Sequence, residues 1–228
     1  MPEEIGSLES LTELTLPLDS DLSKLTHLSL SGCSLIKELP CSLGELEALV
    51  ELHLSSSGIV NLPDSIGNLK KLRVIRIDYT KIKRLLDTIG LVEMLEELYV
   101  GGCLFLRGQI PDEVGRLSHL RTLHLSYTRI CGLPMTISHV ARLQTLELEG
   151  CLKLQHLPEL PSSLIHLSCH ASSFLSVPDP LKLVNLDYLD LYGPYNPPKE
   201  FLQPEDISKS IKQLPSDETS KNHLERDE

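Results

Sequence analysis

Leucine recurs along the chain in one short pattern. Residues 49–71 read LVELHLSSSGIVNLPDSIGNLKK, in which Leu49, Leu52 and Leu54 follow the pattern L-x-x-L-x-L. A helix would place apolar residues every three to four positions, and an amphipathic strand would alternate over a longer run, so neither element alone explains the pattern. It predicts a short strand that directs Leu52 and Leu54 inward, followed by a return segment that completes one coil.

The pattern begins again at nearly constant spacing. Successive copies are separated by 24, 23, 23, 25, 23, 21 and 22 residues, counted from their first leucines: Leu25, Leu49, Leu72, Leu95, Leu120, Leu143, Leu164 and Leu186. This period is typical of the leucine-rich repeat. The predicted fold class is α/β: a curved solenoid, or horseshoe, with a parallel sheet on the concave side, one short strand per repeat, and short helical or 3₁₀ segments on the convex side. We expect this domain to span residues 1–193 and a polar, partly disordered tail to span residues 194–228.

The return segments share a Leu-Pro or Ile-Pro pair. The pairs are Leu39-Pro40, Leu62-Pro63, Ile110-Pro111, Leu133-Pro134 and Leu157-Pro158, with Leu85-Leu86 as the exception. Proline cannot extend a sheet and is well suited to begin a helical turn. A glycine follows at Gly44, Gly67, Gly90 and Gly115. We expect these glycines to end the turns with a positive φ angle.

One position in the turn after each strand carries a small side chain with a hydroxyl or thiol group. These positions are Cys33, Ser57, Thr80, Cys103, Thr128 and Cys151. A hydroxyl can hydrogen bond to backbone, and a thiol can do so weakly, so a structural role in bonding the turn of the adjacent coil is predicted. The cysteines lie in different coils and lack the spacing of a four-ligand metal site.

The residues between the leucines are predicted to form the concave surface. Tyrosine and arginine are frequent anchors of protein interfaces. The candidates for binding a protein ligand are therefore His53, Arg73, Arg76, Tyr79, Tyr99, His124, Tyr127, Glu147 and Glu149. The alternative interpretation is a merely solvated sheet, because any solenoid exposes polar side chains there.

Composition excludes several other functions. The net charge of −11 is unfavourable for binding a phosphate backbone, so no nucleic-acid partner is expected. No apolar run is long enough to span a membrane, and the N-terminus does not resemble a signal peptide. Phosphate-loop, dinucleotide, zinc-protease and hydrolase motifs are all missing, and the nine histidines are not paired for metal binding. We therefore expect no cofactor, no metal and no enzymatic activity. The six scattered cysteines favour a reducing compartment, the cytoplasm or the nucleus.

Two segments resemble a known receptor family. LSGCSLIKELPCSLGELEALVEL and LEGCLKLQHLPELPSSLIHL are similar to repeats of plant intracellular nucleotide-binding leucine-rich-repeat disease-resistance receptors, in the subclass with a Toll/interleukin-receptor-like domain. The resemblance covers about residues 1–192. It implies recognition of a pathogen effector or a guarded host protein, or contact with the receptor's own nucleotide-binding domain. GQIPDEVGRL, residues 108–117, instead resembles extracellular plant receptors, but it occurs once and no glycosylation sequon accompanies it.

Two alternatives remain beside the immune-receptor hypothesis. The chain lacks nucleotide-binding and signalling modules, so it could be a stand-alone intracellular scaffold or adaptor in signal transduction. The other alternative, an enzyme or enzyme subunit, has no acid–base or nucleophile motif to support it.

Overall fold

The computed structural model describes residues 24–170 and 183–190. The predicted polar tail, residues 194–228, lies outside the described residues. The strands are β1 His27–Ser29, β2 Glu51–His53, β3 Val74–Arg76, β4 Glu97–Tyr99, β5 Arg107–Gln109, β6 Thr122–His124, β7 Arg129–Gly132, β8 Thr145–Glu147, β9 His166–Ser168 and β10 Tyr188–Asp190.

One large parallel sheet runs through the described part of the solenoid. Its eight strands follow the order β1-β2-β3-β4-β6-β8-β9-β10, and every neighbouring pair is parallel. Each strand belongs to one coil, so coils 1 to 8 are numbered by these strands in the same order. The predicted fold class is confirmed: the molecule is a leucine-rich-repeat solenoid.

The inward leucines form a continuous core. The second leucine of each pattern faces inward, so Leu52, Ile75, Leu98, Leu123 and Leu146 are all fully buried. In register they are direct partners across neighbouring strands. One coil could not bury such a residue alone, because its neighbours above and below supply the contacts. Burying one leucine contributes about 1.5–3 kcal/mol relative to exposure, so stacking of the coils stabilises the fold.

Short 3₁₀ segments occupy the return side of five coils. They are Cys41–Glu45, Asp64–Asn68, Asp87–Leu91, Asp112–Arg116 and Met135–His139. The residue before each is Pro40, Pro63, Leu86, Pro111 or Pro134. The predicted helical turns are therefore confirmed after Pro40, Pro63, Pro111 and Pro134, and the Leu86 coil adopts the same conformation without proline. Within the described range 24–170, no 3₁₀ segment follows Leu157-Pro158.

The glycines of these segments have a different role from the predicted one. Gly44, Gly67, Gly90 and Gly115 lie inside the 3₁₀ segments, and none has a positive φ. A β-carbon at Gly90 would lie 2.5 Å from the carbonyl oxygen of Glu113 in the next coil, and the other three would also crowd the following coil. Close stacking of neighbouring segments therefore requires glycine here. The expectation of positive φ was wrong, because sequence alone does not separate the two reasons for a glycine.

Two strands that the sequence pattern did not predict lie after the turns of coils 4 and 5. β5 pairs in parallel with β7, with Arg107 opposite Arg129. β5 overlaps the GQIP segment, where Gly108 has a φ of +88°. All three residues of β5, RGQ, are exposed, and they do not alternate between apolar and polar. The sequence therefore contains no pattern that predicts this strand.

Candidate recognition surface

The middle row of the concave face is continuous. His53, Arg76, Tyr99, His124 and Glu147 are consecutive partners across β2, β3, β4, β6 and β8. Parallel strands lie about 4.8 Å apart, so these five side chains follow one another at contact distance. Each coil contributes one strand to the large sheet, and the nearly constant period places these side chains in line.

Arg76, Tyr99 and Glu97 form the first cluster on this row. The Arg76 guanidinium carbon lies 4.0 Å from the centroid of the Tyr99 ring, a cation–π contact. Arg76 Nη2 also lies 3.4 Å from Glu97 Oε2. Burial raises the pKa of Tyr99, its hydrogen bond to Glu97 raises the pKa further, and the Arg76 charge opposes both. The phenol thus stays neutral and can both donate and accept a hydrogen bond.

His124 lies between two carboxylates. Its Nδ1 is 3.6 Å from Asp78 Oδ1, and its Nε2 is 3.5 Å from Glu147 Oε2. Asp78 belongs to coil 3, so the imidazole reaches it across coil 4. Coil 4 carries Gly101 at this point, and a β-carbon there would lie 2.5 Å from His124 Cε1. The missing side chain therefore gives His124 access to Asp78. The rings of Tyr99 and His124 also meet edge to face at 6.1 Å.

His53 belongs to a separate group at the N-terminal side. The Glu51 carboxylate lies 3.4 Å from His27 Nε2 and 3.3 Å from His53 Nε2. The two histidines thus share one acidic partner. This group and the His124 group are separated along the row by the Arg76–Tyr99 pair.

Tyr79 and Tyr127 lie at the end of the strand rows, just before the turn position. Both have left-handed backbone conformations, with φ of 57° and 58°. Tyr79 is 68% exposed and Tyr127 is 50% exposed, so both rings are accessible beside the candidate row. Tyr127 donates a hydrogen bond to Glu149 Oε1, and this bond raises the pKa of the Tyr127 phenol.

Arg73 is placed apart from Arg76. It directly precedes β3, and its Nη1 lies 3.4 Å from Glu96 Oε1, whereas Arg76 pairs with Glu97. The two arginines therefore have different carboxylate partners. Of the candidates, Arg76, Tyr99, His124 and Glu147 are brought into one contiguous group, and the others lie around it.

The side chains at the turn positions form hydrogen bonds to backbone, but not all of them bond the turn of the adjacent coil as predicted. Thr80 Oγ1 donates to the Ile77 carbonyl of its own coil at 2.8 Å, and Cys103 Sγ of the next coil donates to the same carbonyl at 3.1 Å. Thr128 and Cys151 share the Leu125 carbonyl in the same way. Cys103 and Cys151 thus reach the backbone of the preceding coil, whereas Thr80 and Thr128 bond to the backbone of their own coil and contact only the cysteine sulfur of the next coil. Cys33 is buried at its turn, while the buried Ser57 hydroxyl has no hydrogen-bond partner in the described part of the chain.

Three acidic residues of the surface were missed as candidates. Asp78, Glu97 and Glu51 each contact a predicted residue, as described above. Glu51 and Glu97 lie two residues before the middle-row residue of their own strands. Their outward direction follows from strand alternation, so the row of first outward residues would have revealed them.

The described residues contain no group of three or more His, Cys, Asp or Glu side chains placed to hold a metal ion. No helix among them has the length and apolar character needed to cross a membrane. The contiguous group offers a set of hydrogen-bond donors and acceptors, one arginine and two aromatic rings, which suits recognition of another polypeptide.

Comparison with known proteins agrees with the geometry. The model of the family Leucine Rich Repeat matches residues 24–46, from the start of coil 1 through its 3₁₀ segment. No curated protein sequence was found to match the chain.

Several solved structures share the fold. The crystal structure of PEPR1–AtPEP1 is similar over 75% of this chain, with 28% sequence identity and a TM-score of 0.67. The crystal structure of a TDR receptor is similar over 75% of the chain, with 24% identity and a TM-score of 0.60. The leucine-rich repeat domain of the type III effector XopL is similar over 76%, with 22% identity and a TM-score of 0.61. The chain spans 25% of the PEPR1 structure and 35% of the TDR structure.

Proposed function

We propose that this chain is a non-catalytic protein-recognition module that binds a protein or peptide ligand through its concave face. The observation that carries the proposal is the contiguous group Arg76, Tyr99, His124 and Glu147. Arginine and tyrosine are the side chains that most often contribute large binding energies, and here they are held together by a cation–π contact. Similarity to the fold of PEPR1–AtPEP1 supports an interaction role.

The pre-arranged contacts favour binding. Tyr99 is fixed between Arg76 and His124, so little rotamer freedom remains to be lost when a ligand docks. Carboxylates lie beside the two basic side chains: Glu97 pairs with Arg76, and Glu147 lies next to His124. A ligand surface with hydroxyl, amide or cationic groups fits this mixture of donors and acceptors.

Within this role, we infer a place in plant defence, as part of an intracellular nucleotide-binding leucine-rich-repeat receptor. The Gly-Cys turns and the LPELP segment support this assignment, and the six free thiols fit a reducing compartment, the cytoplasm or the nucleus. The ligand would be a pathogen effector, a guarded host protein or the receptor's own nucleotide-binding domain. No nucleic acid, metal or cofactor takes part in this proposal.

The test is affinity capture from plant extract with the purified chain and two variants. The first carries Arg76→Glu, Tyr99→Ala and His124→Ala. The second is a matched control with Arg142→Glu, Met135→Ala and His139→Ala, three exposed residues off the sheet rows. Thermal unfolding must show that both variants fold.

A captured protein that binds wild type and control, and loses at least about 2 kcal/mol of binding free energy with the first variant, supports the proposal. Titration calorimetry with the purified captured protein gives that value. Equal binding by all three proteins would move recognition away from the concave face and overturn it.

A further inference from the structure

A strip of cations lies outside the rows of the concave sheet. It is formed by the segments that follow the turns of coils 3, 4 and 5, residues 81–86, 104–110 and 129–133. These segments contain no Asp or Glu. Their cations are all exposed and define the basic edge: Lys81, Lys83, Arg84, Arg107 and Arg129.

Backbone bonds place the cations of the basic edge next to one another. The Arg107 amide donates to the Lys83 carbonyl at 3.2 Å, which joins coil 4 to coil 3. Arg107 and Arg129 are direct partners across β5 and β7, which joins coil 4 to coil 5. Like charges placed opposite each other on a sheet are destabilising. Folding therefore gains nothing from this arrangement.

The basic edge lacks internal neutralisation. None of its five cations forms an ion pair with a carboxylate of residues 24–170 or 183–190, whereas Arg73 and Arg76 both do. The chain as a whole is acidic, with a net charge of −11. A concentrated and unpaired positive strip on such a protein has the field of a binding site for an anion-bearing partner.

Exposed apolar side chains adjoin the strip. Leu104 is 57% exposed and Phe105 is 51% exposed. They come directly before the buried Leu106, which is followed by Arg107. Two large apolar groups beside clustered cations suit a ligand that carries both carboxylates and an apolar anchor.

We propose that the basic edge is a second docking surface, which binds an acidic peptide segment of a partner protein that inserts an apolar side chain against Phe105. A short acidic segment fits better than a nucleic acid, because the net charge of −11 would repel a polyanion that extends beyond the strip. This surface is separate from the concave group and does not depend on it.

The test uses a fluorescein-labelled Glu-rich peptide with a single Phe, followed by fluorescence anisotropy. The variant is Arg107→Glu with Arg129→Glu. The control is Arg121→Glu with Arg142→Glu, which makes the same change in net charge at exposed positions in coils 5 and 6, at the side where the strands begin. We expect wild type and control to bind the peptide, and the variant to bind about tenfold more weakly. Added salt should weaken the binding of wild type, because exposed charges are screened.

Arg107→Lys with Arg129→Lys should keep most of the affinity, since it keeps the charge. Thermal unfolding of Arg129→Glu should be unchanged or shifted upward, because one repulsive pair is removed. Equal losses in variant and control would show only an effect of net charge and overturn the proposal. Failure of wild type to bind the peptide, or binding of phosphatidylserine vesicles without the peptide, would overturn it as well.

Discussion

The ring of Tyr79 lies against Gly102 of the next coil, in the space that a β-carbon at Gly102 would occupy. Tyr127 and Gly150 repeat this relationship two coils further on. Gly102 and Gly150 have φ of +68° and +66°, so two constraints act at once on each glycine. A β-carbon would be strained by the backbone and would also displace a tyrosine.

Gly102→Ala should lower the free energy of unfolding more than Gly32→Ala does. Gly32 has a φ of +79° with open space around it. Its substitution should therefore lower the free energy of unfolding only by the cost of a left-handed backbone at a residue with a β-carbon, roughly 1–2 kcal/mol. The added overlap with Tyr79 should bring the cost at Gly102 to roughly 2–4 kcal/mol. Urea unfolding of both variants measures the difference. Equal costs would show that the tyrosine moves aside freely.

Gly90→Ala should destabilise the stack of 3₁₀ segments. Its β-carbon would lie 2.5 Å from the Glu113 carbonyl oxygen, which backbone packing holds in place, so we expect a loss of roughly 1–3 kcal/mol. Gly132→Ala is the matched control, because its nearest neighbouring atom lies 3.7 Å away. The control should stay within about 0.5 kcal/mol of wild type. A harmless Gly90→Ala would contradict the close-approach explanation.

The six cysteines should react with iodoacetamide in two groups. Cys41 and Cys131 are exposed, while the other four, Cys33, Cys103, Cys151 and Cys169, are buried. Burial also raises the thiol pKa of Cys103, Cys151 and Cys169, which reduces the reactive thiolate. Peptide mapping by mass spectrometry at neutral pH should find Cys41 and Cys131 modified at least about tenfold faster. In denaturant all six should react alike, and rapid modification of Cys103 in the native protein would refute the assignment.

Stability should fall in alkaline solution in part because of the buried thiols. Their pKa is higher in the folded than in the unfolded chain. The stabilisation by the neutral thiol is therefore complete below the ordinary thiol pKa of 9.0 and is lost as the pH rises through the folded pKa. Cys151→Ala should be less stable by roughly 1 kcal/mol at neutral pH, from lost burial.

The same variant should lose less stability than wild type as the pH increases beyond the ordinary thiol pKa. The tyrosines with raised pKa change the stability of both proteins equally as the pH rises. The difference between the two pH dependences therefore comes from Cys151 alone. Unfolding midpoints measured at several alkaline pH values give the two slopes. Parallel slopes would show that Cys151 does not contribute.

The sequence predicted the parts of the fold that depend on period. One leucine pattern per coil determines both the strand and its register, and so the line from His53 to Glu147 could be read from spacing. Proline likewise marked the start of four 3₁₀ segments. These features are local or strictly repeated, and a repeated unit contacts only its neighbours.

Features that depend on contact across a coil could not be predicted. The reach of His124 to Asp78 requires that Gly101 leave a gap in the intervening coil. The pairing of β5 with β7 involves residues without an apolar pattern. Both contacts depend on which side chains the neighbouring coils carry at that point. The period of the leucines does not contain this information.

Coils 3 and 4 fit each other in one order only. Thr80 and Cys103 share one carbonyl, and Tyr79 covers Gly102. Coils 5 and 6 repeat both contacts, with Thr128 placed 48 residues after Thr80. Deletion of coil 4 would bring Tyr79 next to Tyr127, and deletion of coil 5 would remove the tyrosine that covers Gly150. Within coils 3 to 6 the repeating structural unit is therefore a pair of coils, 48 residues long.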